Sequence, residues 1–422
     1  MIRYFFKDRK GRLMPKKIYK REIVNEIKKY LGSEEIIVLH GARQVGKTCI
    51  LYYLKDYLKK TGKITHYLDL EDSRYVKILD SGTKEFINYL REEGIIGDSN
   101  KSVKDKVFVF IDEIQYLKDP SSFLKLMADH NKNIKLIVSG SSSFNIRKKF
   151  KDSLVGRTVD FEIFSLSFKE FLLFKNYLFD KEKIFTEKKI SELRQLFSEY
   201  ILYGGYPKIV LTAEIYKKEK HLQQIIDTYI KKDIRDLAEI KDINKFNKLL
   251  EALSFQSGNL LNVTELSNTC NIAKQTVEKY LFFLENTYIL KLVRPYSKNI
   301  RSELFKVPKI YFYDTGLMQM LWLKGLQKEI IGNVFETAIF SELVKNYGKG
   351  KIFYWRTIDK KEIDFILRIK NRILPIEAKL NFEQVKLTAI KYFNKYYKLK
   401  NCRIIGLKGC RKNKSYIYPW SL

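Results

Sequence analysis

Cysteine is scarce in this 422-residue sequence, and Cys49, Cys270, Cys402 and Cys410 show no metal-ligand spacing. The four histidines lie far from them and from one another, which argues against a zinc site of paired ligands. Reduced, packed thiols are expected, with a Cys402–Cys410 contact the alternative. Long apolar runs are missing too. The longest, such as residues 107–111, are strand-sized and far short of the ~20 residues of a membrane span. The first thirty residues are rich in charge and lack a secretory apolar stretch, so a cytoplasmic protein without membrane contact is expected. No repeat or low-complexity tract is evident. A hydrophobic fraction of 45% excludes a largely disordered chain.

Acid is scarce at both ends. Residues 1–30 carry eleven Lys/Arg against three acids, and residues 386–422 carry ten and none. These stretches supply +18 of the net +31, so the excess is clustered. Clustering points to a polyanion partner, DNA before RNA; the alternative is a general lysine bias on solvated faces.

Strand-like and helix-like segments alternate through residues 34–165. Residues 35–40, 64–70, 107–111, 134–139 and 157–163 read as buried strands, which predicts an α/β fold with a parallel sheet covered on both faces. Residues 166–241 read as helical, interrupted by Tyr203-Gly204-Gly205-Tyr206-Pro207, a turn or helix stop. The expected domains are an α/β core with a basic N-terminal segment (1–165), a helical segment (166–241), a mixed segment of helices and short strands (242–327) and a C-terminal α/β domain (328–422).

Gly41-Ala42-Arg43-Gln44-Val45-Gly46-Lys47-Thr48 fits G-x-x-x-x-G-K-[ST] between a strand and a helix. Such a loop turns backbone N–H groups toward phosphates, and the helix N-terminus adds positive potential. Lys47 is expected at the β- and γ-phosphates of ATP, with the Thr48 hydroxyl on Mg²⁺. The second half of the site is the apolar strand ending in Asp112 and Glu113. Asp112 suits Mg²⁺ and Glu113 the attacking water. Ser139, at the end of the next strand in Ser139-Gly140-Ser141-Ser142, is a γ-phosphate sensor or else part of a serine-rich cap. Arg157 is either an arginine finger toward a neighbouring copy in a homo-oligomer or a surface arginine, with Arg235 a weaker candidate.

The run of GARQVGKT, FIDEIQYL, VSGSSS, Gly156-Arg157 leading into FEIFSLSFKEFL, and YGGYP resembles the prokaryotic AAA-type ATPases often called archaeal ATPases. The resemblance covers nearly the whole chain and implies an ATPase whose C-terminal domain is of unknown function.

Two further constellations stand outside that core. Asn262 can cap a helix with Glu265 three residues on, and a second helix after residues 270–272 completes a helix-turn-helix. Residues 288–293 and 304–313 would form the wing. Val277, Tyr280, Leu281 and Leu284 face inward, leaving Lys274, Gln275, Glu278 and Lys279 outward, either to read DNA or on a plain spacer. In the C-terminal part, a hairpin turning at Lys370-Asn371 sets Asp364 opposite Glu377, with Lys379 two residues on and so on the same face. Asp364 and Glu377, with Glu336 from the preceding helix, are candidate Mg²⁺ ligands for phosphodiester cleavage, and Lys379 would assist the attacking water. Over about 100 residues this resembles the restriction-endonuclease-like D…(D/E)-x-K fold. A salt-bridged face, or a fold that binds without cutting, is the alternative.

Overall fold

A computed structural model of the chain describes residues 5–7, 13–15, 18–97, 106–140, 154–180, 185–228, 238, 240–297 and 307–422. Ser141, Ser142, Arg235 and the start of the expected second wing strand at Leu304 lie outside the described residues. The chain forms two units, Met1–Ile163 and Phe164–Leu422.

In the first unit, β1 (Phe5–Lys7) and β2 (Leu13–Pro15) make an antiparallel pair. Five strands follow: β3 (Ile36–Gly41), β4 (Thr65–Asp69), β5 (Val107–Asp112), β6 (Ile134–Gly140) and β7 (Thr158–Ile163). They pair in parallel in the order β4-β5-β6-β3-β7. The expected parallel sheet is therefore present, and its architecture is that of a P-loop NTPase. β3 and β5 are buried along their whole length, as strands covered on both faces must be. Val38, Leu68, Val109, Ile111 and Val138 pack with Phe86, Leu90, Phe123 and Leu124 from helices Thr83–Glu92 and Pro120–His130. Each such side chain contributes roughly 1.5–3 kcal/mol when fully buried. All five strands point the same way, so their C-terminal ends gather the connecting loops at one edge.

The second unit begins with helices Phe168–Phe174, Glu187–Tyr203, Pro207–Leu211 and Ile215–Ile225. The expected helix stop at Gly204 does more than end a helix. Asp314 accepts the Gly205 N–H at 2.8 Å and caps helix Thr315–Leu323 through the Leu317 N–H. A Cβ on Gly204 would lie 2.2 Å from the Asp314 carboxylate, so glycine is required there.

Helices Ile243–Phe255, Val263–Cys270 and Lys274–Asn286 come next, with Asn262 capping the second through the Glu265 N–H at 3.1 Å. Asn271, in the left-handed region, turns the chain into the third. β8 (Leu290–Val293) and β9 (Lys309–Phe312) pair antiparallel. After helix Gly332–Tyr347, β10 (Ile352–Arg356), β11 (Glu362–Ile369), β12 (Arg372–Ala378), β13 (Arg403–Ile405) and β14 (Tyr416–Ile417) form a sheet in that order. The first two pairings are antiparallel and the last two parallel, with helix Thr388–Tyr397 crossing from β12 to β13. All four cysteines are free thiols, but only Cys270 is buried, and Cys410 is exposed rather than packed. Among the described residues, no helix is long and apolar enough to cross a membrane.

Candidate functional site

Gly41 closes β3 and Lys47 opens helix Lys47–Lys60, so the loop between them is held at the C-terminal edge of the sheet. Gly46, at φ 99°, supplies the left-handed turn into the helix. Lys47 is 5% exposed, and its ammonium donates to the carbonyls of Ala42 at 2.7 Å and Gly41 at 3.1 Å. Burial pulls its pKa down to about 8, against the opposing pull of Glu113 and Asp112. Ala42 and Val45 are buried, Arg43 and Thr48 half-buried, and Gln44 exposed at φ 60°. Arg21, buried ahead of helix Ile23–Lys28, donates to the Val45 carbonyl at 2.7 Å and braces the loop.

Asp112 ends β5, and Ser139 lies on β6, the strand between β5 and β3. The Ser139 hydroxyl donates to Asp112 Oδ1, and the Tyr67 hydroxyl to Oδ2 at 2.8 Å. Tyr67 comes from β4 and stacks on Tyr52 of the loop's helix at 4.5 Å. Burial and then Asp112 push the Tyr67 pKa far up, so it stays a donor. Glu113 follows in the left-handed region at φ 57°; its N–H faces Ser139 Oγ at 3.5 Å, and Gln115 donates to its carboxylate. Lys47, Asp112, Glu113 and Ser139 thus converge from three adjacent strands.

Arg157 is not part of this convergence. Its carbonyl accepts the N–H of Ile36, the first residue of β3, and its guanidinium pairs with Asp129 at 2.6 Å. In a parallel sheet that is the pole opposite the loop, so within its own chain Arg157 is remote from the phosphate site.

In the second unit, β11 and β12 pair from Phe365↔Ile376 to Ile369↔Arg372, which sets Asp364 opposite Glu377 one step on. Lys370 takes the left-handed conformation of the two-residue turn. Lys379 Nζ donates to Asp364 Oδ2 at 2.9 Å and Glu377 Oε1 at 3.1 Å, and the Ala378 N–H also reaches Asp364 Oδ2. Asp364 and Glu377 are 5% and 7% exposed, and Glu377 Oε2 is buried with no hydrogen-bond partner.

Glu336 faces the cluster from its helix. It accepts from Tyr311 at 2.5 Å and Lys309 at 3.4 Å, while Lys309 also meets Glu362 at 2.6 Å. Burial, then Asp364, holds the Glu336 and Glu377 carboxyls above the ordinary range. Among the described residues no three acid, imidazole or thiol groups converge as a ready-made metal cage. Mg²⁺ needs only one or two carboxylates beside its waters, so the Asp364–Glu377 pair supplies sufficient donors.

Sequence reasoning missed Arg21, Tyr67, Lys309, Tyr311 and Glu362. No local motif marks them, and the buried lysine of β9 is the single signal that a charge partner waits elsewhere.

The parallel order, the loop and the carboxylates at one sheet edge define the class as a P-loop NTPase domain. Residues 33–172 match the family described as AAA domain, so the chain carries an AAA-type, nucleotide-binding ATPase domain. Residues 194–329 and 331–416 match two domains of unknown function, DUF8612 and DUF4143. An uncharacterized protein of Haemophilus influenzae is 28% identical over 375 residues, 86% of this chain and 88% of that one. Another, from Methanocaldococcus jannaschii, is 26% identical over 397 residues, 92% and 85% of the two chains. AMPPCP-bound DnaA from Aquifex aeolicus is 19% identical, covering 63% of this chain and 86% of its own, with a TM-score of 0.28. That likeness adds nothing to the sheet order.

Proposed function

We propose that this chain is a Mg-ATP hydrolase that works with nucleic acid. The observation that carries the reading is the meeting of Lys47, Asp112, Glu113 and Ser139 at one sheet edge. The N–H groups of residues 41–48 and the Lys47 ammonium bind the β- and γ-phosphates. Thr48 and Asp112 would hold Mg²⁺, which would supply charge neutralisation on the phosphate oxygens. Tyr67 and Ser139 orient Asp112, and Glu113 orients or deprotonates the attacking water. For Arg157, paired with Asp129 away from its own chain's loop, the readings are a finger across a subunit boundary in a homo-oligomer or a surface arginine.

In this reading the rest of the chain is a helical lid at 166–241, a winged helix at 242–327 and a nuclease-like fold at 328–422. Lys274, Gln275 and Lys279 are exposed on helix Lys274–Asn286 and Val277, Tyr280, Leu281 and Leu284 are buried, which supports a nucleic-acid-facing second helix. The clustered positive charge supports the same partner. In steady-state assays Lys47→Ala should lose turnover, and Glu113→Gln should keep ATP while hydrolysis falls by roughly 10²-fold or more. Wild-type turnover in either variant refutes the assignment.

A second reading, cleavage of DNA by the C-terminal fold, is favoured by one observation: the orphaned, buried Glu377 Oε2. Asp364 and Glu377, with Glu336 alongside, would hold Mg²⁺, and Lys379 would assist the attacking water. Plasmid, linear and single-stranded DNA are incubated with Mg²⁺ or Mn²⁺, with and without ATP, beside Asp364→Asn. Cleavage lost in the variant establishes an ATPase–nuclease. Salt-sensitive retardation without cleavage leaves an ATP-dependent binding switch.

A further inference from the structure

Helix Thr388–Tyr397 turns only Ile390 and Phe393 into the core. Its outer side carries two large aromatic rings one helical turn apart, Tyr392 at 46% and Tyr396 at 62% exposure. Lysines 391 and 395 beside them are exposed, and the chain from residue 386 to its last residue holds no acid. Tyr392 is held in position: Trp355 packs against it at 6.0 Å, and Lys361 stands over it at 4.8 Å. Lys361 closes a tight loop, through its carbonyl to the Thr357 N–H at 2.9 Å, and the tip of that loop is Ile358, fully exposed.

We propose that this surface binds single-stranded nucleic acid by stacking unpaired bases on Tyr392 and Tyr396, with the flanking lysines on the phosphates. The inference rests on the nucleic-acid reading above and specifies which strand state that partner has. Three arguments select it. Side chains at i and i+4 stand about 6 Å apart, whereas stacked bases of a duplex rise about 3.4 Å, so bases on both rings must be separated from each other. A single strand allows that freely, whereas a duplex must be unstacked at a cost of about a few kcal/mol per step. A protein partner is disfavoured because lysine is depleted at the centre of protein interfaces, and here lysine brackets both rings. A membrane surface is disfavoured because the helix's apolar face, Ile390 and Phe393, is already in the core, which leaves Ile358 beside the two tyrosines, a small apolar area for insertion.

The test is a fluorescence-anisotropy titration of the full chain against a labelled oligo(dT) and a duplex of equal length. Wild type is compared with Tyr392→Ala/Tyr396→Ala, Tyr392→Phe/Tyr396→Phe and Lys391→Gln/Lys395→Gln. Each stacked ring should account for roughly ten-fold in affinity for the single strand. The double alanine variant should therefore lose about 100-fold there, with duplex binding and the salt slope unchanged. The phenylalanine pair keeps both rings and should bind as wild type. The lysine variant should flatten the salt slope by about 0.7 for each phosphate it no longer neutralises.

Equal loss on duplex, or phenylalanine failing as alanine does, overturns stacking. So does an alanine variant that binds like wild type, or binding of wild type to anionic phosphatidylserine vesicles that is lost in the alanine variant alongside unchanged oligonucleotide affinity. Wild type that binds neither oligonucleotide nor duplex overturns the broader nucleic-acid reading together with this one.

Discussion

Burial brings the Lys47 ammonium down to a pKa of about 8, while Lys47 donates to the Gly41 and Ala42 carbonyls. Phosphates beside it would restore the charged form, so ATP binding and protonation of this one group should be linked. With a pKa of about 8, roughly one chain in ten is neutral there at pH 7 and about nine in ten at pH 9. The apparent Kd for Mg-ATP should therefore rise about tenfold between those values, and binding at pH 9 should take up close to one proton. Calorimetric titration in two buffers of different ionisation enthalpy measures both.

The same shift acts on the nucleotide-free protein. A lysine whose folded pKa lies below its unfolded value is less protonated in the folded state. Folding stability should accordingly rise with pH from about 8 to about 10.5, by up to ~3 kcal/mol for this group. Lys47→Met should remove that part of the rise, read from urea unfolding across the range. A Kd that is flat from pH 7 to pH 9, with no proton uptake at pH 9, refutes the reasoning.

Arg21→Met should weaken Mg-ATP binding roughly tenfold through loss of the charge-assisted bond to Val45, with the sheet intact by circular dichroism; unchanged affinity refutes the brace. Gly204→Ala forces a Cβ against Asp314 at φ +80° and should cost about 3 kcal/mol in urea unfolding; a change under about 1 kcal/mol would show that the turn can relax. Lys309→Met removes the cation beside Glu336 and Glu362, leaving Glu336 the Tyr311 hydroxyl and Glu362 its Arg356 partner, and should cost about 3 kcal/mol, part of which returns when Glu336→Gln is added. Strict additivity of the two changes would mean the ion pairs do not matter.

What is readable in the sequence follows from how local each feature is. The phosphate loop is eight consecutive residues, and its chemistry requires a strand before it and a helix after it. β3, β5 and β6 are near-continuous apolar runs, which is how a strand covered on both faces looks. The Asp364–Glu377 register is readable because a two-residue turn at Lys370-Asn371 fixes the pairing by counting. Arg157 reads in the sequence as a finger toward a neighbouring copy or a surface arginine; its place at the pole opposite the loop follows from the strand directions, since parallel strands carry their first residues there. Tyr67 and Arg21 cannot be found by pattern. Each meets its partner across the fold, Tyr67 over 45 residues and Arg21 over 24, and any buried tyrosine or arginine looks the same in a string.

Lys309 answers to two carboxylates carried by separate elements, Glu336 on a helix and Glu362 on β11. Three positions far apart in the gene therefore form one unit of inheritance. A lineage that replaced the lysine alone would leave Glu336 without its cation and Glu362 with Arg356 alone, and one that replaced both acids would strand a cation that is 4% exposed. Among related chains the charges at 309, 336 and 362 are expected to be kept or abandoned as a set. That joint change would be visible in an alignment even where overall identity has drifted below a third.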